Sequence, residues 1–196
     1  MQVDKPSLRL KFIKKRRKLY STKNFFSFDK FFFLIKKNFP NKKPSIAGYY
    51  PSNFEINILN LLSQSSKKNF IIGLPVIKKD YKIDFKHWIP NEPLYVNKYG
   101  ILEPKKRNIT FKPDIVLVPL VTFDRNLNRI GYGKGYYDRT LKQLSSNKKI
   151  LTIGMAFSFQ ETSIIPTNQY DYNLDCILTD RNLIYRKKAN ENFIFG

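Results

Sequence analysis

Three glycines stand at alternate positions in the segment best suited to chemistry, residues 129–138, whose sequence is RIGYGKGYYD. Glycine has no Cβ, so this spacing lets successive backbone N–H groups turn inward around an anion. Arg129 and Lys134 add full charges, which suit the negative charge that develops as a phosphoryl group is transferred. The spacing matches neither the dinucleotide-binding turn nor the P-loop. We interpret the segment as a phosphate-binding loop, and the glycines alone leave open a tight structural connection.

The elements around this loop predict where it lies. Residues 114–120 (DIVLVPL) are almost continuously aliphatic, as in strands that are buried on both faces. Residues 136–144 are predicted to form a helix, so the loop follows a strand and precedes a helix. Ligands of open α/β sheets bind beyond the carboxyl ends of the strands. Asp124, just before the loop, is expected to fix a turn rather than to act as a base.

The rest of the chain alternates helical and strand patterns. Further helices are predicted over residues 7–20, over 27–38 and beyond residue 51, and further strands over 44–50, 69–77, 149–156 and 175–179. The strand at 69–77 is expected to leave the sheet near Pro75, and residues 78–112 to form an irregular excursion or small hairpin. We predict an α/β fold with a mostly parallel central sheet and helices on both faces. This Rossmann-like, three-layer single domain would span residues 1–185, with a loose tail over 186–196.

Composition limits location and partners. The single Cys176 cannot form an intramolecular disulfide, and no segment resembles an export signal. The apolar run at residues 25–35 is 11 residues long, whereas a membrane span needs roughly 20. The lone His87 has no second His or Cys at ligand spacing, so it receives no metal or catalytic role. We expect a cytoplasmic monomer without a membrane partner.

Net charge is high: 36 Lys and Arg face 15 Asp and Glu, which gives +21. Such a surface attracts nucleic acid, anionic membranes or phosphorylated substrates. The chain is also rich in Asn, Ile, Phe and Tyr, as A/T-biased coding would make it, so charge alone does not select a partner. A basic nucleic-acid-binding protein with residues 11–18 as its phosphate-contacting arm is one alternative. A different ATP-using enzyme on a similar scaffold is another.

Residues 113–139 as a whole resemble the signature of the 5-formyltetrahydrofolate cyclo-ligase family, also called methenyltetrahydrofolate synthetases. The resemblance covers about residues 5–180. Further matches in order are Lys5 to Arg9, Tyr49-Tyr50-Pro51 with Glu55, Leu74-Pro75, Trp88, residues 99–104, residues 153–157 with Gln160, and Pro166 with Asp171 and Asp175. Ile130 replaces the usual Leu, and Val76 stands where a basic residue often follows the proline. Lys78 or Lys79 could compensate for the second departure.

The resemblance implies that ATP and 5-formyltetrahydrofolate are converted to 5,10-methenyltetrahydrofolate, ADP and phosphate with Mg²⁺, and that no nucleic acid is bound. It implies catalytic roles for Arg129 and Lys134. It implies ATP contacts from Lys5, Pro6, Ser7, Leu8, Arg9, Arg129, Ile130, Gly131, Tyr132, Gly133, Lys134, Gly135, Tyr136 and Tyr137. It implies folate contacts from Tyr50, Glu55 and Trp88. Asp138 and Asp171 match the Mg²⁺ positions, with Asp175 as the substitute for Asp171.

Several of these residues have a plainer structural interpretation. Lys5 and Arg9 could belong to a solvated basic helix face. Glu55 and Asp138 could be first-turn carboxylates that stabilise a helix N-terminus. Trp88 could be a core tryptophan rather than a platform for the folate.

Overall fold

A computed structural model describes residues 4–21 and 26–185. Its helices are α1 (Lys5–Leu19), α2 (Asp29–Asn38), α3 (Leu59–Lys67) and α4 (Tyr136–Asn147), with a short 3-10 helix at Ser158–Gln160. Its strands are β1 (Ile46–Ala47), β2 (Ile72–Ile77), β3 (Ile83–His87), β4 (Tyr95–Val96), β5 (Leu102–Glu103), β6 (Ile115–Pro119), β7 (Thr122–Phe123), β8 (Arg129–Ile130), β9 (Leu151–Ala156), β10 (Cys176–Thr179) and β11 (Leu183–Tyr185). The tail predicted over residues 186–196 lies outside the described residues.

Seven strands form one sheet in the order β11-β10-β9-β6-β1-β2-β3. The five inner strands are parallel, while β11 and β3 add antiparallel edges. If the five parallel strands are numbered 1 to 5 along the chain, their order across the sheet is 2-1-3-4-5. The direction of winding therefore reverses between β1 and β6. Open α/β sheets bind ligands at the carboxyl end of such a switch point. The predicted mostly parallel sheet is confirmed.

Helices cover both faces of the sheet, as predicted. On one face, α2 and α3 pack through Leu34 and Leu61 into a core that includes Leu117. On the other face, α4 packs through Leu141 against Val118. Burying one such aliphatic side chain contributes about 1.5–3 kcal/mol, so these layers hold the strand ends in fixed positions.

The first helix lies at one end of the sheet. It begins at Lys5, two residues before the prediction, because Asp4 caps it by accepting a hydrogen bond of 2.7 Å from the Ser7 amide. Leu8 and Phe12 pack against Val121 and other apolar residues after β6. The opposite face of α1 carries exposed Lys and Arg residues. No helix among the described residues is long and apolar enough to cross a membrane.

The predicted departure of the chain at Pro75 is wrong. Strand β2 continues through Pro75 to Ile77 and pairs with the antiparallel edge strand β3. The proline is tolerated because β1 pairs with β2 only as far as Gly73, so no partner on that side reaches Pro75. Beyond β3, β4 and β5 form the small hairpin that was one of the two expectations for this region.

Candidate active site

A cavity of about 810 Å³ opens at the carboxyl ends of β1 and β6. Tyr50 and Glu55, which follow β1, form one side, and the glycine loop forms another. The ionisable Lys, Arg, Asp and Glu side chains that line it are Lys5, Arg9, Arg129, Lys134, Arg139 and Lys142 against Glu55, Asp138 and Asp171. The excess of cations suits a ligand that carries several negative charges.

The glycine loop is held at both ends by regular structure. Upstream, β7 and β8 form a hairpin whose turn is fixed by the fully buried Asp124. Its Oδ1 accepts hydrogen bonds of 2.9 and 3.0 Å from the amides of Asn126 and Asn128. This confirms the predicted turn-fixing role of Asp124. Downstream, α4 begins directly after Gly135, which is left-handed with φ of +65°.

The backbone carbonyls and the backbone amides of this loop differ in their hydrogen-bond partners. The Gly131 carbonyl accepts from Arg9 Nε at 2.8 Å, and the Lys134 carbonyl accepts from Arg139. Within residues 4–21 and 26–185, no amide from Gly131 to Gly135 donates to another protein group. The first turn of α4 adds further amides without intrahelical partners. Arginine side chains thus satisfy carbonyls while the N–H groups stay free to bind an anion.

Two cations of α1 reach the cavity, as their spacing of four residues predicts. Lys5 Nζ lies 2.5 Å from Asp171 Oδ2, and the guanidinium of Arg9 lies against Gly133. A Cβ at Gly133 would lie 3.0 Å from Arg9 Cζ, so the Arg9 side chain would have to shift to admit one. The cavity is not lined by the three residues between these cations, Pro6, Ser7 and Leu8. Pro6 lies in the first turn of α1, the Ser7 amide donates to the capping Asp4, and Leu8 is buried.

Arg129 and Asp138 form a salt bridge at the base of the loop. Arg129 Nη1 lies 2.8 Å from Asp138 Oδ1 and also donates to the Tyr172 carbonyl at 3.1 Å. The Arg129 side chain is only 4% exposed, whereas that of Asp138 is 25% exposed. A buried guanidinium with these partners is fixed in place, so it presents its charge to the cavity without reorganising.

Asp138 and Asp171 both line the cavity, although no group of three His, Cys, Asp or Glu side chains in the described ranges could hold a metal ion by itself. This arrangement fits Mg²⁺, which commonly binds one or two carboxylates and completes its shell with water and phosphate oxygens. The protein contacts fall on Oδ1 of Asp138 and Oδ2 of Asp171, so each carboxylate has a second oxygen to offer.

The side chain of Lys134 packs against an aromatic ring. Its ammonium is 3.4 Å from the centroid of the Tyr99 ring, and the Tyr99 hydroxyl lies 2.9 Å from that of Tyr136. Arg139 lies over the ring of Tyr81. The β4–β5 hairpin, which carries Tyr99, therefore touches the glycine loop across the mouth of the cavity.

Glu55 supplies a carboxylate on the side of the cavity where folate contacts were predicted. Its Oε2 accepts from the Ser52 amide at 2.8 Å, and the residue is buried. Desolvation raises the pKa of Glu55, an effect opposed by the Ser52 amide, the charge of Arg16 and the Tyr132 hydroxyl. Tyr50 lines the same cavity. The predicted contacts Tyr50 and Glu55 are thus brought together with the glycine loop.

Trp88 is not brought to this site. Its side chain is buried in the core, and Nε1 donates to the Glu92 carbonyl at 3.2 Å. The plainer interpretation of a core tryptophan fits this position, and a stacking role has no structural support. Lys78, offered as a compensating cation, lies 3.7 Å from Asp84 and does not line the cavity.

Asp175 also points elsewhere. Its Oδ2 accepts from the Thr152 amide at 2.7 Å and from the Thr152 hydroxyl at 2.6 Å, which ties β9 to the start of β10. Asp171, the first choice of the sequence analysis, is the one that lines the cavity.

Several cavity residues were missed by sequence reasoning. Tyr99 and Arg139 stand inside the matched strings, where proximity to the motif was a usable signal. Asn97, Asn168 and Tyr170 also line the cavity, and they come from loops without a motif of their own.

Fold and cavity together define an α/β enzyme whose glycine loop lies at the switch point of its sheet. The chain belongs to the 5-formyltetrahydrofolate cyclo-ligase family, whose sequence model matches residues 1–180. The resemblance drawn from residues 113–139 is therefore confirmed.

Individual relatives agree with this assignment. A 5-formyltetrahydrofolate cyclo-ligase of Haemophilus influenzae is 36% identical over 141 residues, which are 68% of this chain and 74% of the relative. An NMR structure of Aquifex aeolicus 5,10-methenyltetrahydrofolate synthetase matches with a TM-score of 0.72 and 27% identity over 95% of each chain. A Mycoplasma pneumoniae 5,10-methenyltetrahydrofolate synthetase matches with a TM-score of 0.68 and 26% identity, over 91% of this chain and 99% of that one.

Proposed function

We propose that this enzyme converts 5-formyltetrahydrofolate and ATP to 5,10-methenyltetrahydrofolate, ADP and phosphate. One observation carries the proposal: the glycine loop with its free amides and the buried carboxylate of Glu55 line the same cavity. A nucleotide and a folate held there would meet within one enclosure, which supplies the proximity that a two-substrate reaction needs.

The chemistry explains why a phosphate donor is required. Closing the ring needs attack of N10 on the formyl carbon, and the formyl oxygen is a poor leaving group. Transfer of the γ-phosphoryl group to that oxygen releases ADP and makes a phosphate ester. Attack by N10 then forms the new C–N bond, N10 gives up its proton, and the C–O bond breaks with loss of phosphate. The protein's part is mostly positioning and charge stabilisation.

Cations of the cavity supply that stabilisation. Lys134 is our candidate for the charge that spreads over the transferred group, because its ammonium is compact and its stem is flexible. Arg129, fixed by Asp138, would provide a second charge in constant position. Lys5 and Arg9 would hold the rest of the triphosphate, with Arg9 lying against the glycine loop.

Glu55 would select the folate. A carboxylate accepts paired hydrogen bonds from the amino-pyrimidine edge of a pterin, and the flat ring of Tyr50 lines the adjacent wall. Binding such a donor edge would also satisfy the buried carboxylate, which has the Ser52 amide on one oxygen.

Asp138 and Asp171 would hold Mg²⁺ through their second oxygens. When bound, this ion would neutralise phosphate charge and orient the nucleotide.

The decisive experiment mixes purified protein with 5-formyltetrahydrofolate and Mg-ATP and follows the near-ultraviolet absorbance of the methenyl product. We expect absorbance to rise only when all components are present, with one ADP per methenyl group formed. Absence of product from well-folded wild-type protein would overturn the proposal.

Binding to RNA or DNA, the alternative drawn from the basic α1, has its own test. Retention of either nucleic acid in a gel at about 150 mM salt, near physiological screening, would favour it. A cytoplasmic location and a monomeric state stay predictions, which cell fractionation and analytical ultracentrifugation can check.

A further inference from the structure

Arg16 differs from the other cations at the C-terminal end of α1 because it is buried. It is 1% exposed, whereas its neighbour Arg17 is exposed. Its Nη1 donates to the Leu120 carbonyl at 3.0 Å, just after β6, and its Nη2 donates to the Tyr132 hydroxyl. Burying a guanidinium is costly unless the charge is paired, so this position needs an explanation.

The surroundings of Arg16 point to Glu55. The Tyr132 hydroxyl accepts from Arg16, and Tyr132 and Glu55 line the same cavity, where Tyr132 lowers the pKa of the Glu55 carboxyl. Arg16 Nε is buried and has no hydrogen-bond partner within residues 4–21 and 26–185. The positive charge of Arg16 favours the ionised form of Glu55 and so lowers the pKa that burial raises. The buried guanidinium and the buried carboxylate thus both interact with Tyr132, which is itself 40% exposed.

Tyr132 connects this network to the phosphate side. It lies between Gly131 and Gly133, yet its hydroxyl is directed to Arg16, and the guanidinium carbon of Arg16 lies 5.7 Å from the centroid of its ring. The backbone of Tyr132 thus belongs to the anion-binding loop while its side chain belongs to the Glu55 side.

We propose that Arg16 is a positioning residue that couples the glycine loop to the Glu55 side of the cavity through the Tyr132 hydroxyl. The inference rests on the proposed folate role of Glu55. Arg16 would hold the carboxylate oriented and ionised for the folate, while Leu120 anchors Arg16 to the sheet. It would touch neither substrate itself.

Steady-state kinetics of Arg16→Met, Tyr132→Phe and the double variant test this coupling. The expected result for Arg16→Met is a KM for 5-formyltetrahydrofolate raised about tenfold or more, as for loss of a hydrogen bond to a charged group. The KM for ATP should change by less than about threefold, because the loop amides remain. Arg17→Met, the same substitution at the exposed neighbour, is the matched control. Equal increases in both KM values would overturn the proposal.

The double variant separates coupling from independent effects. If the hydroxyl transmits the influence of Arg16, Arg16→Met with Tyr132→Phe should raise the folate KM no further than Arg16→Met alone. Multiplied effects of the two substitutions would contradict the proposal. Arg16→Lys keeps the charge and should recover most of the folate affinity, which a purely space-filling role would not predict.

Unfolding in urea provides a readout that needs no activity. Each substitution changes the unfolding equilibrium constant by a factor. The factor for the double variant should differ by about threefold or more from the product of the two single-variant factors, because the residues share a hydrogen bond. Independent shifts would overturn the coupling. If Arg16→Met does not fold, Tyr132→Phe and Arg16→Lys carry the kinetic test. Inactive wild-type protein would refute the proposed function, while this unfolding cycle would still decide the Arg16–Tyr132 link.

Discussion

The ammonium of Lys134 lies 3.4 Å from the centroid of the Tyr99 ring, which belongs to the turn between β4 and β5. Lys134, the predicted catalytic cation, is therefore held by the β4–β5 turn, a segment outside the glycine loop. A cation over an aromatic face at an exposed site gains about 0.5–1 kcal/mol. This gain is small enough to be exchanged for a phosphate when a nucleotide enters.

Lys134→Ala should lower kcat about 10³-fold or more, the scale seen when a cation that stabilises the transferred phosphoryl group is removed. Circular dichroism and the unfolding midpoint should stay close to wild type. The matched control is Lys112→Ala, which removes an exposed lysine outside the cavity. A Lys134→Ala protein with near-normal kcat would exclude this lysine from the chemical step.

Tyr99→Leu should tighten ATP binding by two- to fivefold, because Lys134 then gives up no ring contact to reach the phosphates. Isothermal titration calorimetry with a non-hydrolysable nucleotide measures this difference. Tyr99→Phe retains the aromatic face and should bind like wild type. Weaker binding by Tyr99→Leu would mean that the ring assists Lys134 instead of competing for it.

Gly133→Ala should be the most damaging of three glycine substitutions. Gly133 has φ of +93° and lies against Arg9, Gly100 has φ of +74° with open space around it, and Gly131 has open space. Gly100→Ala should therefore lower the free energy of unfolding by about 1–2 kcal/mol through backbone strain alone. Gly133→Ala should add the cost of displacing Arg9. Chemical unfolding of the three variants ranks the costs. Gly131→Ala as the least stable variant would contradict the geometry.

Mg²⁺ dependence should distinguish Asp171 from Asp175. Asp171→Asn should raise the Mg²⁺ concentration for half-maximal activity about tenfold or more. Asp175→Asn should leave that concentration unchanged but lower stability by about 1 kcal/mol, because its carboxylate caps Thr152. The opposite pattern would move the metal position to Asp175.

Glu55→Gln should stabilise the folded chain at neutral pH. Desolvation raises the pKa of Glu55 above its usual 4.5, so the folded state keeps the proton to higher pH than the unfolded state does. The contribution of this site to the free energy of unfolding is complete below about pH 4.5, and it decreases as the pH rises through the pKa of Glu55 in the folded state. Glutamine does not ionise, so its advantage in urea should appear at pH 7.5 and vanish near pH 4. An advantage independent of pH would refute this reasoning.

Local patterns were sufficient for much of the fold. A nearly continuous aliphatic run predicted β6, and the alternation of strands and helices predicted a covered parallel sheet. Pro75 misled the prediction because a proline's effect depends on whether a neighbouring strand reaches it. The short β1, which sets that reach, has no signature that gives its length.

The amino-acid sequence by itself determined the family, and it predicted a phosphate-binding loop and the cations Lys5 and Arg9 that line the same cavity. These depend on residue types at close spacing, where backbone geometry leaves few alternatives. Only the tertiary structure decided that Trp88 is a core residue, that Tyr99 covers Lys134, and that Arg16 is buried beside Tyr132. Those relations join segments far apart in the chain, and strand order and packing alone bring them together.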